Sequence, residues 1–202
     1  MLRIRSRWLL LACGVLLFSL DGPAGMPAGN AASLHPAMRD SGQADEARAI
    51  RKRRLDVLLP QALAEHGFDL WMVFTREAAR DPLGPDVAGD QVVARAAFLF
   101  ARTPDGFRKI AIVASYDVTP VKDSGIYDEV IAYRGEGIKP HLKKVVGELN
   151  PRRIGLNISR DIPVGDGLAV GMRDYLVETL GPEMGARFAS AQPIVVSFRG
   201  RR

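Results

Sequence analysis

The chain has 202 residues, of which 47% are hydrophobic and 25% are charged. A composition of this kind builds one sizeable hydrophobic core, so folding requires neither disulfides nor a structural metal. The single cysteine, Cys13, excludes an internal disulfide, and the formal net charge at pH 7 is +5.

The first 31 residues have the pattern of an export signal. Arginines precede an apolar run over 8–20, which is shorter than the about 20 residues that a membrane-spanning helix needs. Small residues follow, so we expect cleavage after Ala31, with 22–24 as a second candidate position. The apolar run continues past Cys13, which argues against lipidation there. We therefore predict a signal peptide over 1–31, export to the periplasm or the extracellular space, and no stable membrane anchor.

A flexible lead-in is predicted over 32–44, because this segment contains Pro36 and has no apolar periodicity. The predicted domain then covers 45–190. Its first helix carries apolar residues at spacings of three and four and ends near Gly67, a typical C-terminal stop. The residues of this predicted apolar face are Leu55, Leu58, Leu59, Ala62, Leu63 and His66.

Short apolar runs between turn residues predict strands over 70–74, 96–101, 110–114 and 130–133. The first three runs are continuously apolar rather than alternating, which predicts a sheet that is covered on both faces. The sequence TPDG at 103–106 is a turn signal, so the second and third strands should form an antiparallel hairpin.

The second half of the chain alternates between helix and strand patterns. A helix is predicted over 138–149, followed by a strand over 154–158. Asp166 is the predicted N-cap of a further helix that ends at Gly181. The complete pattern predicts an α/β fold with a mixed, largely buried β-sheet flanked by helices on both faces.

Several segments resemble one branch of the secreted Xaa-Pro aminopeptidase-like proteins in their order and spacing. They are WMVFTRE at 71–77, DP at 81–82, ARAAFLF at 94–100, RIGLN at 153–157, DGL at 166–168 and AQPIVVSFR at 191–199. The wider family includes Xaa-Pro aminopeptidase, prolidase and creatinase. The resemblance covers nearly the whole chain from Ala49 onward.

This resemblance implies a creatinase-type N-terminal domain. In the family, a C-terminal pita-bread domain usually follows, where two Asp, one His and two Glu hold a pair of divalent metals. Residues 191–202 would then begin a linker helix to a catalytic domain that is missing here. The resemblance therefore implies no catalytic, metal-binding or cofactor-binding residue in this chain, which should be inactive alone although the family consists of proline-specific peptide hydrolases.

One loop departs from the family pattern. The related branch carries REYNEDP, whereas this chain reads REAARDP at 76–82. Arg76, Glu77 and Asp81 are retained, and Asp86 and Asp90 follow in a segment that is rich in turn residues. Their spacing does not fit a calcium-binding loop, so we interpret these five residues as a candidate partner-facing or substrate-facing loop.

The sequence gives little support for a metal site or a phosphate site elsewhere in the chain. His35, His66 and His141 are isolated, which argues against a histidine metal site. In the turn at 135–137, Glu136 would repel a phosphate.

The basic clusters at 51–54 and 199–202 lack interleaved aromatic residues. The pattern therefore argues against a nucleic-acid partner. We interpret the first cluster as a solvated helix face and the second as the start of the linker helix.

Two hypotheses remain at this stage. By resemblance, the chain is an accessory domain that contacts a pita-bread catalytic domain or its equivalent, supports a possible homo-oligomer and helps to frame the substrate entrance. The alternative is a free-standing extracytoplasmic binding module that kept the fold without the enzyme. The coding sequence beyond Arg202 distinguishes the two hypotheses.

Overall fold

The computed structural model describes residues 36–89 and 92–201, with side chains from residue 42 onward. The predicted signal peptide over 1–31, its cleavage position and Asp90 lie outside the described residues. Within the described part of the chain, no helix combines the length and the apolar character that crossing a membrane requires.

The centre of the domain is a six-stranded mixed sheet with the strand order β4-β3-β2-β1-β5-β6. The strands are β1 Leu70–Thr75, β2 Ala96–Thr103, β3 Gly106–Ala114, β4 Glu129–Tyr133, β5 Ile154–Leu156 and β6 Phe188–Ser190. The pairs β1–β2 and β2–β3 are antiparallel, and the other neighbours are parallel. The strands predicted from the four apolar runs are all present.

The predicted hairpin is also present. Strands β2 and β3 pair from Ala97 opposite Ile112 to Thr103 opposite Gly106. The loop is closed at Gly106, whose φ of 133° lies in a region that residues with a side chain rarely adopt. The TPDG signal therefore identified both the turn and the antiparallel pairing.

Helices cover both faces of the sheet. They are α1 Pro36–Arg53, α2 Leu59–Glu65, α3 Val118–Asp123, α4 Lys139–Leu149, α5 Val170–Leu180, α6 Pro182–Gly185 and α7 Gln192–Gly200. A π-helical turn, Arg54–Leu58, joins α1 to α2, and single 3-10 turns occur at Pro85–Val87 and Pro163–Gly165.

The hydrophobic core has two parts, one on each side of the sheet. On one side, Trp71 and Val73 of β1 belong to a cluster with residues of α2 and α7. On the other side, Met72 and Phe74 belong to a cluster with residues of α4 and α5. All six residues of β1 are buried, which confirms the α/β prediction of a sheet covered on both faces.

Helix α1 begins at Pro36, inside the segment 32–44 for which a flexible lead-in is predicted. Residues 42–50 are exposed, so burial of an apolar face does not explain this helix. Helix α1 contains four alanines and four arginines, which have high intrinsic helix propensity. A prediction based on apolar periodicity does not detect a helix that lacks a buried apolar face.

Three further details differ from the sequence expectations. Helix α5 has Ala169 rather than Asp166 as its N-cap, because the Asp166 carboxylate accepts a hydrogen bond from the Ser159 amide at 3.1 Å. Strand β5 ends at Leu156 instead of residue 158. Strand β6 was not predicted, since it has three residues and none of them is fully buried.

Helix α7 is part of the core rather than a segment that leaves it. Its residues Ile194, Val195 and Phe198 are buried. The Phe198 ring lies 6.0 Å from the Trp71 ring, centroid to centroid. The compact domain therefore includes α7, beyond the predicted boundary at residue 190.

Candidate functional site

The strand directions bring several polar residues to one edge of the sheet. Strands β1, β3, β4, β5 and β6 all end at this edge, and antiparallel β2 begins there. Arg76 and Glu77 directly follow β1, Arg95 directly precedes β2, and Tyr133 is the last residue of β4. Crevices at the carboxyl ends of strands are the usual ligand sites of open α/β sheets.

A shallow cavity of about 350 Å³ lies at this edge, and we call it the edge crevice. It is lined by Arg76, Glu77, Val93, Ala94, Arg95, Tyr133, Gly137, Ile138 and Tyr175. Its volume lies within the range of about 300–1,000 Å³ that is typical of small-molecule sites. Two arginines and one glutamate give the crevice a small excess of positive charge.

Tyr175 on α5 is the aromatic centre of the edge crevice. Its ring stacks on Phe74 with a centroid distance of 5.9 Å and an interplanar angle of 16°. The Arg95 guanidinium carbon lies 4.7 Å from the ring centroid and Lys139 Nζ lies 4.8 Å from it. Lys139 Nζ also donates to Glu178 at 2.6 Å. These contacts hold two cations beside an aromatic face.

Tyr133 contributes a neutral hydroxyl to the crevice. Burial is the largest of the effects that raise the pKa of Tyr133 to about 12, and Tyr116, Asp117 and Tyr175 add to it, whereas Arg95 lowers it. The hydroxyl donates a hydrogen bond to the Arg95 carbonyl at 2.6 Å. Tyr133 therefore stays protonated at neutral pH and fixes the chain before β2, rather than acting as a base.

Asp81, one of the five predicted loop residues, is buried, with 2% of its surface exposed. Its Oδ1 accepts from the Leu83 amide at 2.9 Å, and its Oδ2 accepts from Asn157 Nδ2 at 2.8 Å. Asn157 Oδ1 in turn accepts from Trp71 Nε1 at 2.8 Å. The expectation that Asp81 faces a partner or substrate is therefore wrong, because its two carboxylate oxygens point inward to donors of the fold.

The buried carboxylate also explains the DG pair at 166–167. A Cβ atom added to Gly167 would lie 2.3 Å from Asp81 Oδ2, so only glycine permits this approach. The amides of Gly167 and Leu168 both donate to the Asn157 carbonyl, at 3.0 and 2.9 Å. Burial raises the pKa of Asp81, although the hydrogen bonds from Leu83 and Asn157 act in the opposite direction.

Of the remaining predicted loop residues, Asp86 does not join this edge. Asp86 is half-buried and lies 3.6 Å from an Arg199 guanidinium nitrogen, in a different groove. Asp90 lies outside the described residues. Of the four predicted residues that the structure describes, only Arg76 and Glu77 reach the edge crevice.

Sequence reasoning missed Arg95, Tyr133 and Tyr175 as crevice residues, and it missed Lys139 as a neighbour of Tyr175. Arg95 and Tyr133 adjoin strand ends, which is a usable signal once the strand directions are known. Tyr175 was assigned to the core-facing side of a helix, and it does pack on Phe74. Its second role, as a platform for cations, depends on tertiary contacts that the sequence does not show.

Among the described residues, no group of three or more His, Cys, Asp or Glu side chains converges in a metal-ligating arrangement. His66 Nε2 instead lies 2.8 Å from the Ser197 hydroxyl oxygen. A two-metal hydrolase site requires bridging and terminal ligands around ions that are about 3.5–4 Å apart. The described part of the chain does not offer such a ligand set.

Comparisons with known proteins place the fold. No protein-family model matches the chain, and no curated protein matches it. Among solved structures, an Xaa-Pro dipeptidase from Bacillus anthracis is 18% identical with a TM-score of 0.50, over 75% of this chain and 36% of that one. An X-Pro aminopeptidase from Thermotoga maritima MSB8 is 16% identical with a TM-score of 0.52, over 69% of this chain and 35% of that one.

The N-terminal domain of an Xaa-Pro dipeptidase from Lactobacillus brevis is 15% identical with a TM-score of 0.41, over 72% of this chain and 89% of that one. At the identities of the Bacillus and Thermotoga proteins, the likeness concerns the fold. It confirms the predicted creatinase N-terminal-domain-like α/β fold. This chain spans little more than a third of the length of those two proteins.

Proposed function

We propose that this chain is the non-catalytic N-terminal accessory domain of an exported Xaa-Pro aminopeptidase-like metallopeptidase. The observation that carries the proposal is the fold shared with an Xaa-Pro dipeptidase and an X-Pro aminopeptidase, of which this chain spans 36% and 35%. The catalytic residues and a divalent metal pair would belong to a pita-bread domain or its equivalent.

In this proposal the edge crevice helps to frame the substrate entrance. Arg76, Glu77 and Arg95 are exposed there, on loops that a rigid sheet positions. The guanidinium groups of Arg76 and Arg95 suit a peptide carboxylate, because arginine donors match the geometry of that group. Contact with a catalytic domain would exclude water from the crevice and strengthen these interactions.

The coding sequence beyond Arg202 provides the first test. A continuous frame that encodes a pattern of two Asp, one His and two Glu supports the accessory-domain proposal. A stop codon without such a pattern would instead favour the free-standing binding module, for which the edge crevice, formed by residues of this chain alone, would be the binding site.

The complete protein provides the second test. We expect Arg76→Ala and Arg95→Ala to raise KM for peptides with proline at the second position and to leave kcat nearly unchanged, because these residues would act in substrate binding. Arg160→Ala is the control, since Arg160 is exposed and does not line the crevice. Unchanged KM in both crevice variants would contradict a role in the substrate entrance.

Export and self-association are further parts of the proposal. Intact-mass analysis of the exported protein should give a chain that begins at Ala32, after loss of residues 1–31. A mature chain that still begins with Met1, or a lipid on Cys13, would contradict this expectation. Sedimentation analysis of the same sample would show whether the protein forms a homo-oligomer.

A further inference from the structure

Two basic clusters that are far apart in the sequence meet at one groove. Arg51 and Arg54 come from the end of α1 and the π-helical turn, and Arg199 comes from α7. Together with the loop at Pro85–Val87 they enclose a cavity of about 370 Å³, which we call the basic groove. It is lined by Ala47, Ile50, Arg51, Arg54, Pro85, Asp86, Phe198 and Arg199.

Arg54 is held in place by α7. One of its terminal nitrogens donates to the Phe198 carbonyl at 2.8 Å, and its guanidinium carbon lies 5.1 Å from the Phe198 ring centroid. Its Nε is buried without a hydrogen-bond partner among the described residues. A fixed guanidinium loses little conformational entropy when it binds an anion, so the groove is partly preorganised.

The charges of the basic groove are not balanced. Among the described residues that line the groove, Asp86 is the one carboxylate, and it forms an ion pair with Arg199 at 3.6 Å. Within the described part of the chain, neither Arg51 nor Arg54 forms an ion pair with a carboxylate. The described lining thus contains three guanidinium groups and one carboxylate, which is an excess of two positive charges.

The rest of the groove is apolar. Ile50 is 53% exposed although it is a large hydrophobic residue, and Ala47, Pro85 and Phe198 complete the apolar lining. The cavity is much larger than a bare inorganic anion requires. Its lining therefore matches a ligand in which an anionic group is attached to an apolar moiety.

We propose that the basic groove binds an organic phosphomonoester. A phosphomonoester carries a charge of about −1.5 to −2 at pH 7, which matches the excess of two positive charges, whereas a carboxylate supplies one negative charge. Arginine forks bind phosphate oxygens in a bidentate manner. The phosphoryl group lies between the arginines and the apolar moiety lies against Ile50 and Pro85.

Calorimetric titration of the purified chain with phenyl phosphate tests this proposal. We expect saturable binding of one ligand, and weaker binding of benzoate, which has a similar ring and a single charge. Arg51→Gln and Arg199→Gln should each weaken phenyl phosphate binding about tenfold, as expected for the loss of one charge-assisted contact. Arg51→Lys, which keeps the charge and loses the fork, should bind with intermediate affinity.

Arg160→Gln is the matched control, because it removes the same charge from an exposed residue outside the groove. Thermal melting of each variant checks that the fold is retained. Affinity should also fall below pH about 6, where the phosphomonoester dianion takes up one proton and becomes a monoanion. Equal affinities for phenyl phosphate and benzoate, an unaffected Arg51→Gln variant or the absence of saturable binding would each overturn the proposal.

A free small molecule and a lipid headgroup could supply the same phosphomonoester chemistry. Cosedimentation with vesicles that contain phosphatidic acid, against phosphatidylcholine vesicles as a blank, separates these sources. Vesicle binding that is lost in Arg51→Gln assigns the lipid headgroup. Binding of phenyl phosphate without vesicle binding assigns a soluble ligand.

Discussion

At the scale of single residues, the buried carboxylate of Asp81 shows how an acidic side chain can serve the fold. Its two oxygens accept from the Leu83 amide and from Asn157 Nδ2, while Asn157 Oδ1 accepts from Trp71 Nε1. These groups form a hydrogen-bonded row from Trp71 through Asn157 and Asp81 to the Leu83 amide, in which each donor faces an acceptor. The arrangement requires two acceptors at position 81, and an asparagine side chain has one.

Asp81→Asn should destabilise the protein although the two side chains have nearly the same shape. If the oxygen of the new amide faces Asn157, its nitrogen faces the Leu83 N–H. In the opposite orientation, Asn157 must rotate and place its own nitrogen against the Trp71 indole N–H. Either arrangement places two hydrogen-bond donors against each other, which costs about 1–3 kcal/mol. Chemical denaturation of both proteins measures the difference.

A double-mutant cycle identifies the cause. Trp71→Phe removes the indole N–H, so Asn157 can rotate freely and the cost of Asp81→Asn should be smaller in that background. An equal cost in both backgrounds would show that the hydrogen-bonded row does not determine the effect.

At the scale of elements, β1 is the strand on which both core clusters depend. Val73→Asp should destabilise the protein by several kcal/mol, about 3 or more, because it buries an unpaired charge. Val170→Asp is the control, since Val170 is 76% exposed at the first position of α5, where an acidic residue is favourable. A melting temperature of Val73→Asp equal to that of the parent protein would contradict the central position of β1.

The π-helical turn is joined to β3 through Asp56 and Lys109. Lys109 is 7% exposed, and its ammonium group forms an ion pair with Asp56. Lys52 donates to the other oxygen of Asp56 at 2.5 Å. Burial raises the pKa of Asp56, but the hydrogen bonds from Lys109 and Lys52 outweigh this effect and hold the pKa below its usual value.

Asp56→Asn should therefore lower stability at neutral pH by about 1 kcal/mol. The contribution of a carboxylate with a lowered pKa is complete above its unfolded-state pKa and is lost as the pH falls through its folded-state pKa. The difference between Asp56→Asn and the parent should thus shrink below pH about 4. Glu129→Gln, which breaks an exposed ion pair with Arg108, should change stability by less than about 0.5 kcal/mol. A difference for Asp56→Asn that persists unchanged in acid would contradict the role of its charge.

At the scale of the whole molecule, the sequence predicted the parts of the fold that depend on local patterns. Continuous apolar runs identified the strands, the TPDG signal identified the β2–β3 hairpin, and helical periodicity identified α4 and its buried residues Leu142, Val145 and Val146. Strand β6 was not predicted, because a pattern of three residues is too short to indicate a strand.

The candidate sites were less predictable, because they depend on how distant elements are arranged. Arg76 and Arg95 meet at one edge only because β1 and β2 are antiparallel neighbours. Arg54 and Arg199 meet only because α7 packs beside the π-helical turn. Asp81 lies in a turn-rich segment of the sequence, and its inward direction follows from its distant partner Asn157, which sequence spacing does not reveal.

The last prediction concerns hydrolysis by this chain alone. Purified without any partner and supplied with manganese, cobalt or zinc, it should release no amino acid from a peptide with proline at the second position. A metal-assisted hydrolase must hold its ions with several convergent ligands and leave a position open for water. The described residues bring no three such ligands together. Asp81, which is buried, already accepts two hydrogen bonds. Chromatographic detection of the released residue is the measurement. Metal-dependent release that persists through repurification and disappears in Asp86→Asn would overturn the accessory-domain proposal, because it would place an active site in that loop.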